Sequence, residues 1–185
     1  MRKFISKCLL QIAGWRKGPI GEYVPKCVIC VAPHTSNWDL VIGKLLYSSI
    51  GRKAHFLIKK EWFFFPLNFL FKWMGGIPVD RKRKTSVTDQ MADILTKRRT
   101  FHLAITPEGT RKIAEDWKRG FYYIALKANV PIMLAYIDYL KKEVGIKGLF
   151  YPTGNVEADI QAIKARYIGV TGRHPYNFRE TPAKR

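Results

Sequence analysis

The sequence predicts an α/β fold: one domain with a mostly parallel central sheet flanked by helices, led by an N-terminal amphipathic helix. Three observations predict it. Short continuous apolar runs of strand length, such as CVICVA at 27–32 and FHLAI at 101–105, recur along the 185 residues. Uninterrupted apolar runs, rather than alternating ones, suit strands buried on both faces. Longer segments with helical periodicity lie between them, the alternation that builds parallel sheets through crossover helices. The length and the 47% hydrophobic content suit a single core.

The elements follow in order. Residues 2–17 predict a helix, with Ile5, Cys8, Leu9, Ile12 and Trp15 on one face and lysines and arginines at both ends. This helix either packs on the domain or lies in a membrane interface, so 1–20 are read as an interfacial helix and 21–185 as the main domain. GPIGEYVPK is a turn-rich connector to a strand over 27–32. A helix over 40–50 follows, then strands at 54–59 and 77–79. The intervening EWFFFPLNFLFKWM is aromatic but broken by Pro66, Asn68 and Lys72. It reads as core, as a groove lining or as an apolar membrane contact. A helix over 85–99 is capped by Thr85 or Ser86. A strand at 101–105, a helix at 119–129, a strand at 130–138, a further strand near 145–152 and a helix at 155–168 capped near Asn155 complete the fold. The tail from Gly172 to Arg185 is polar and basic and reads as loose.

The formal charge of +19, from 33 Lys+Arg against 14 Asp+Glu, calls for an anionic partner. Nucleic acid is one such partner, but no helix-turn-helix, finger, KH or RNP pattern is present and the basic residues are spread along the chain. No nucleic acid is therefore expected. The three cysteines are too few for a disulfide framework. Cys27 and Cys30 spell CxxC, but within a strand residues three apart face opposite ways and no second pair completes a zinc site. Both read as buried apolar residues in a reducing compartment, and no metal is expected. No apolar run reaches the length of a membrane span, and neither a signal-peptide cleavage site nor a prenylation signal is expected.

Three polar clusters follow strands. In PHTSNWD, His34 and Asp39 are five apart. On one helix they would stand about 140° apart around the axis. They can meet if His34 sits in the loop, Thr35 or Ser36 caps the helix and Asp39 lies in its first turn; the alternative is that Asp39 is only a cap and His34 only a loop residue. SNWD has the form of a capping box. A carboxylate on one imidazole nitrogen would then fix the tautomer and leave the other as a base. TPEGTR (106–111) offers Glu108, the close-approach Gly109, the Thr110 hydroxyl and the Arg111 guanidinium, a set suited to a phosphate or carboxylate. GGIPVDR (75–81) ends a third strand with Arg81. Ligands of open α/β sheets bind beyond the carboxyl ends of strands, where all three clusters lie.

These motifs resemble those of the glycerophospholipid acyltransferases, the family that includes lysophosphatidic acid acyltransferases. HTSNWD is similar to its HxxxxD motif, GGIPVDR to its second motif, PEGTR to its third, and the run through Pro131 to the approach of its fourth. LIKKEW is similar to its strand-end lysine segment, with Lys59 at the matching position. The resemblance covers roughly Val24 to Leu140. It departs from the pattern at Leu134, where a second proline is common, and at Lys112, where a serine is common.

The resemblance implies an O-acyltransferase. His34 would be the general base on a hydroxyl of the acceptor and Asp39 its orienter, with direct attack on an acyl thioester and no acyl-enzyme. Histidine suits that task because its ordinary pKa of about 6.5 leaves it mostly neutral at pH 7. Arg81 would hold the acceptor phosphate, with Lys59, Glu108, Gly109, Thr110 and Arg111 helping. The expected acceptor is a lysophospholipid, 1-acyl-glycerol-3-phosphate first and a lyso-aminolipid as the alternative. The expected donor is acyl-CoA or acyl carrier protein, and no cofactor is implied. An anionic membrane surface is the expected partner, with peripheral or monotopic attachment at the cytoplasmic face.

Overall fold

A computed structural model describes residues 1–79 and 86–178, with only the backbone of Lys59 among its strand residues. Among the described residues seven strands form one sheet: β1 (Arg16–Lys17), β2 (Lys26–Val31), β3 (His55–Lys59), β4 (Gly76–Val79), β5 (Phe101–Ile105), β6 (Ile132–Asp138) and β7 (Glu143–Phe150). Their spatial order is β1-β7-β6-β2-β5-β3-β4. Every neighbouring pair is parallel except β6 with β7. That pair is joined by only four residues, too few for a crossover, so it must be a hairpin. The largely parallel α/β fold read from the sequence is the one observed.

Helices α1 (Arg2–Ile12) and α2 (Trp38–Ser49) cover one face of the sheet, and α4 (Val87–Lys97), α5 (Gly120–Ala128) and α6 (Val156–Ala165) the other. The larger core lies under α4, α5 and α6, where Val28, Cys30, Leu103, Ile132 and Leu134 meet Leu95, Phe121 and Ile163. On the opposite face Cys27, Ile29 and Met133 meet Tyr47. Cys27 and Cys30 thus point to opposite faces, both fully buried. Burial pushes the Cys27 thiol up to about 12 and Cys30 in the same direction, so neither is a thiolate at neutral pH. The caps are local chemistry. Ser86 accepts from the Asp89 N–H, which resolves the choice between Thr85 and Ser86, and Asn155 accepts from Ala158.

Two expectations need correction, and one open choice is narrowed. The first helix stops at Ile12, not residue 17, because Gly14 takes a left-handed conformation (φ 75°). Trp15 then turns into the core edge-on to Tyr139, with ring centroids 5.0 Å apart. Ser6 and Leu10 are the residues α1 buries, with Ser6 donating to Ser48 of α2. Ile5, Leu9 and Ile12 face solvent. Second, the aromatic stretch is not core. It forms a turn at Lys60–Trp62 and helix α3 (Leu67–Trp73), which buries no residue. Trp62, Phe64, Phe65, Phe69 and Trp73 are exposed, and Arg2 of α1 stacks over Trp73. Third, residues 172–178 are not a loose tail. Gly172 is buried against Thr35 of the loop after β2, the His174 amide donates to the same Thr35, and Pro175–Asn177 form a helical turn.

Candidate active site

Parallel strands share a carboxyl edge, and β2, β3, β4, β5 and β6 all end there. The loop leaving β2 carries His34, and α2 begins four residues later. Asp39, in the first turn of α2, reaches back so that its Oδ2 stands 2.9 Å from His34 Nδ1. The same oxygen accepts from the Thr35 and Ser36 amides, each at 3.0 Å. Ser36 Oγ accepts from the Trp38 N–H at 3.2 Å. Neither Thr35 nor Ser36 is the cap: the N-cap of α2 is Asn37, with no side-chain cap bond, and only the carboxylate half of the box forms, because Ser36 Oγ meets the amide of the first helical residue, Trp38, rather than that of Asp39. One carboxylate therefore terminates the helix and holds the imidazole. Asp39 is only 3% exposed, and its several donors replace the water it gives up. With Nδ1–H donating to Asp39 Oδ2, Nε2 is left as the basic nitrogen.

β5 delivers TPEGTR to the same edge. Glu108 is not at the surface of the site. It is 5% exposed, and its Oε2 accepts the His34 backbone N–H at 2.8 Å. Burial pushes its carboxyl up to about 7. The His34 N–H and imidazole oppose this shift, and the Asp39 charge adds to it. Its Oε1 has no partner among the described residues. Gly109 needs its left-handed φ of 65°, and a Cβ there would run into Lys118. Thr110 Oγ1 accepts from the Lys112 N–H, and Arg111 donates to Asn37 Oδ1, beside the start of α2. Lys59 ends β3 at the same edge. Arg81 lies outside the described residues.

Two contacts at the site were not anticipated. Tyr139 follows the last residue of β6 and donates to Asp39 Oδ1 at 2.7 Å. Burial, then the Asp39 bond, drive its phenol pKa upward, so it stays a donor. Its position at yet another strand end was the available signal. The segment 171–174 had no such signal. Thr171 accepts from the Tyr139 amide, and the His174 N–H donates to Thr35 Oγ1 at 3.2 Å.

His34 lines two cavities. One, of about 850 Å³, is polar and bounded by Ser36, Asn37, Thr110, Arg111, Arg173 and His174. The other, of about 600 Å³, runs between α2 and the sheet. It is walled by Ile29, Val31, Leu46, Leu57, Ile105 and Ile137, with Gly43 and Lys44 on its helical side. Lys44 donates to the Met74 carbonyl at the end of α3 and stacks over Phe56.

Similar proteins carry this arrangement into a family. The chain is 29% identical over 140 residues to a human protein named 1-acyl-sn-glycerol-3-phosphate acyltransferase beta, an alignment covering 72% of this chain and 49% of the human one. The chain therefore spans about half the length of that curated relative. Its fold is similar to the crystal structure of the 1-acyl-sn-glycerophosphate (LPA) acyltransferase PlsC from Thermotoga maritima, with a TM-score of 0.58 at 18% identity over 88% of this chain and 77% of that one. The family model described as Acyltransferase matches residues 20–137, from the connector before β2 to Ile137 in β6. By that match the chain belongs to the Acyltransferase family.

Proposed function

We propose that this chain transfers a fatty acyl group from an acyl thioester, acyl-CoA or acyl carrier protein, to a hydroxyl of a lysophospholipid, 1-acyl-glycerol-3-phosphate being the first acceptor to test. The observation that carries the reading is His34. Its Nδ1 is held by a buried carboxylate, and it stands where a polar and an apolar cavity meet. Nε2 takes the proton of the acceptor hydroxyl as the oxygen attacks the thioester carbonyl. A C–O bond forms, the C–S bond breaks, and the imidazolium returns the proton to the leaving thiolate. The apolar cavity suits an acyl chain and the cationic one a phosphate-bearing group.

Attachment to an anionic membrane, at its cytoplasmic face, belongs to the same proposal. The outward stripe of α1 and the aromatic face of α3 adjoin through Arg2 and Trp73, which supports peripheral contact. Among the described residues no helix is long and apolar enough to cross a membrane.

The test is acyl transfer by the purified full chain to 1-acyl-glycerol-3-phosphate in vesicles, with a lyso-aminolipid in parallel, using each donor. Transfer abolished by His34→Ala supports the reading. Undiminished transfer by that variant, or none by the unaltered chain with any pair, overturns it.

A further inference from the structure

The segment 171–174 lies beyond the residues 20–137 that the family model matches, yet it forms a wall of the polar cavity. It is fastened there at three points. The Tyr139 amide donates to the Thr171 carbonyl at 2.8 Å. Gly172 passes so close to Thr35 that an added Cβ would stand 2.7 Å from Thr35 Oγ1. The His174 amide donates to that same hydroxyl. Thr35 is itself 3% exposed and adjoins His34. The backbone of Arg173 is therefore fixed relative to His34 by contacts on both sides of it, as a freely solvated arginine would not be.

Its guanidinium stacks over the Trp38 indole, 5.9 Å from the ring centroid, at the first residue of α2. Arg111 donates to the preceding residue, Asn37. Lys112 also lines the cavity, and no carboxylate does. Among the described residues neither Arg111 nor Arg173 pairs with an acidic group. Cationic side chains thus share one opening that no carboxylate among the described residues lines, an arrangement suited to an anion of more than one charge.

We infer that Arg173 is a second phosphate-binding guanidinium, sharing the polar cavity with Arg111, and that the C-terminal segment supplies it to grip a phosphate monoester of one of the two substrates. The inference rests on the function proposed above and deepens it. A phosphate monoester occurs both on 1-acyl-glycerol-3-phosphate and at the 3′-position of coenzyme A, and the kinetics separate the two.

The experiment compares the unaltered full chain with Arg173→Gln and Arg173→Lys. Direct binding of glycerol 3-phosphate and of adenosine 3′,5′-bisphosphate is followed by calorimetry. Steady-state kinetics then use phosphorylated and unphosphorylated acceptors, and acyl-CoA beside its 3′-dephospho form. Arg173→Gln should raise KM about 10- to 100-fold for the phosphate-bearing substrate alone, the loss expected for a hydrogen bond between charged groups. It should also weaken the matching probe, with Arg173→Lys partly restoring both. A rise confined to the phosphorylated acceptor assigns the site to the acceptor, and a rise confined to acyl-CoA assigns it to the donor. Unchanged KM values and probe affinities overturn the inference and leave Arg173 as a packing partner of Trp38. A fall in kcat and thermal midpoint without a KM change overturns it too. Probe binding that depends on Arg173 in a chain that transfers no acyl group would retain the phosphate site while removing the function it was assigned to.

Discussion

Tyr139 and Asp39, one hundred residues apart, share a 2.7 Å hydrogen bond that ties the end of β6 to the first turn of α2. Tyr139 gives Asp39 Oδ1 its hydrogen-bond donor, while Oδ2 serves the imidazole and two amides. Tyr139→Phe should leave the fold intact and cost about 1–2 kcal/mol of stability, since one buried lone pair loses its donor. Acyl transfer should fall about tenfold, as Asp39 becomes free to turn away from His34. Asp39→Asn should cost about 10²- to 10⁴-fold, because the imidazole loses its anionic partner and its enforced tautomer. Steady-state rates beside urea unfolding check both. A Tyr139→Phe loss as large as that of Asp39→Asn would contradict this division of labour.

Glu108 makes a pH prediction. A free glutamate would release its proton near 4.5, whereas burial holds the folded carboxyl protonated to about 7. Between these values the folded chain carries one proton more than the unfolded chain, so the Glu108 contribution to stability declines as pH rises from 4.5 to 7 and is level above. The full decline is about 3 kcal/mol. Glu108→Gln can still accept the His34 N–H, and it should remove that slope. The difference in urea midpoint between variant and parent, followed from pH 4.5 to 8, should grow in favour of the variant as pH rises. A constant difference would mean that Glu108 titrates normally.

Gly43 lines the apolar cavity from α2, and a Cβ built on it meets nothing within 4 Å. Gly43→Phe would put a ring into open space rather than into a neighbour. The variant should fold and even gain slightly from its higher helix propensity. It should use short acyl donors normally and lose long ones by about tenfold or more, since the ring displaces several methylenes worth about 0.8 kcal/mol each. A chain-length series of donors reads this out. An unaltered preference would place the acyl chain elsewhere.

The exposed aromatics of α3 and its approach give the membrane prediction. Phe65, Phe69 and Trp73 are at least 64% exposed, so replacing all three by serine removes little packing. Flotation with anionic vesicles should drop sharply in the triple variant. The attraction left by the basic surface should vanish at high salt, where charge is screened. Equal flotation of parent and variant in high salt would show that this patch does not meet lipid.

The parallel sheet was legible because β2, β5 and β6 are nearly unbroken apolar runs, and the site because its motifs sit where those runs stop. What escaped was whatever depended on tertiary choice. Helical periodicity continues through Trp15, but Gly14 breaks the backbone and the indole finds a better place against Tyr139. The stripe through Ile5, Leu9 and Ile12 was legible as a stripe, yet nothing local says that α1 buries Ser6 and Leu10 instead. Glu108 read as a ligand group because it is charged and beside a glycine, while its burial under the His34 loop arises from packing alone. A polar, basic tail reads as loose until Thr35 and Tyr139 are seen to hold it.

The double use of Asp39 Oδ2 has a thermodynamic consequence. The oxygen that orients the imidazole also accepts the amides of Thr35 and Ser36, so one placement of the side chain serves both tasks. The entropy of aligning base and carboxylate is lost once, when α2 docks, and is not lost again with each substrate. Such preorganisation leaves the interaction energy of lipid and thioester to bring the hydroxyl and the carbonyl together.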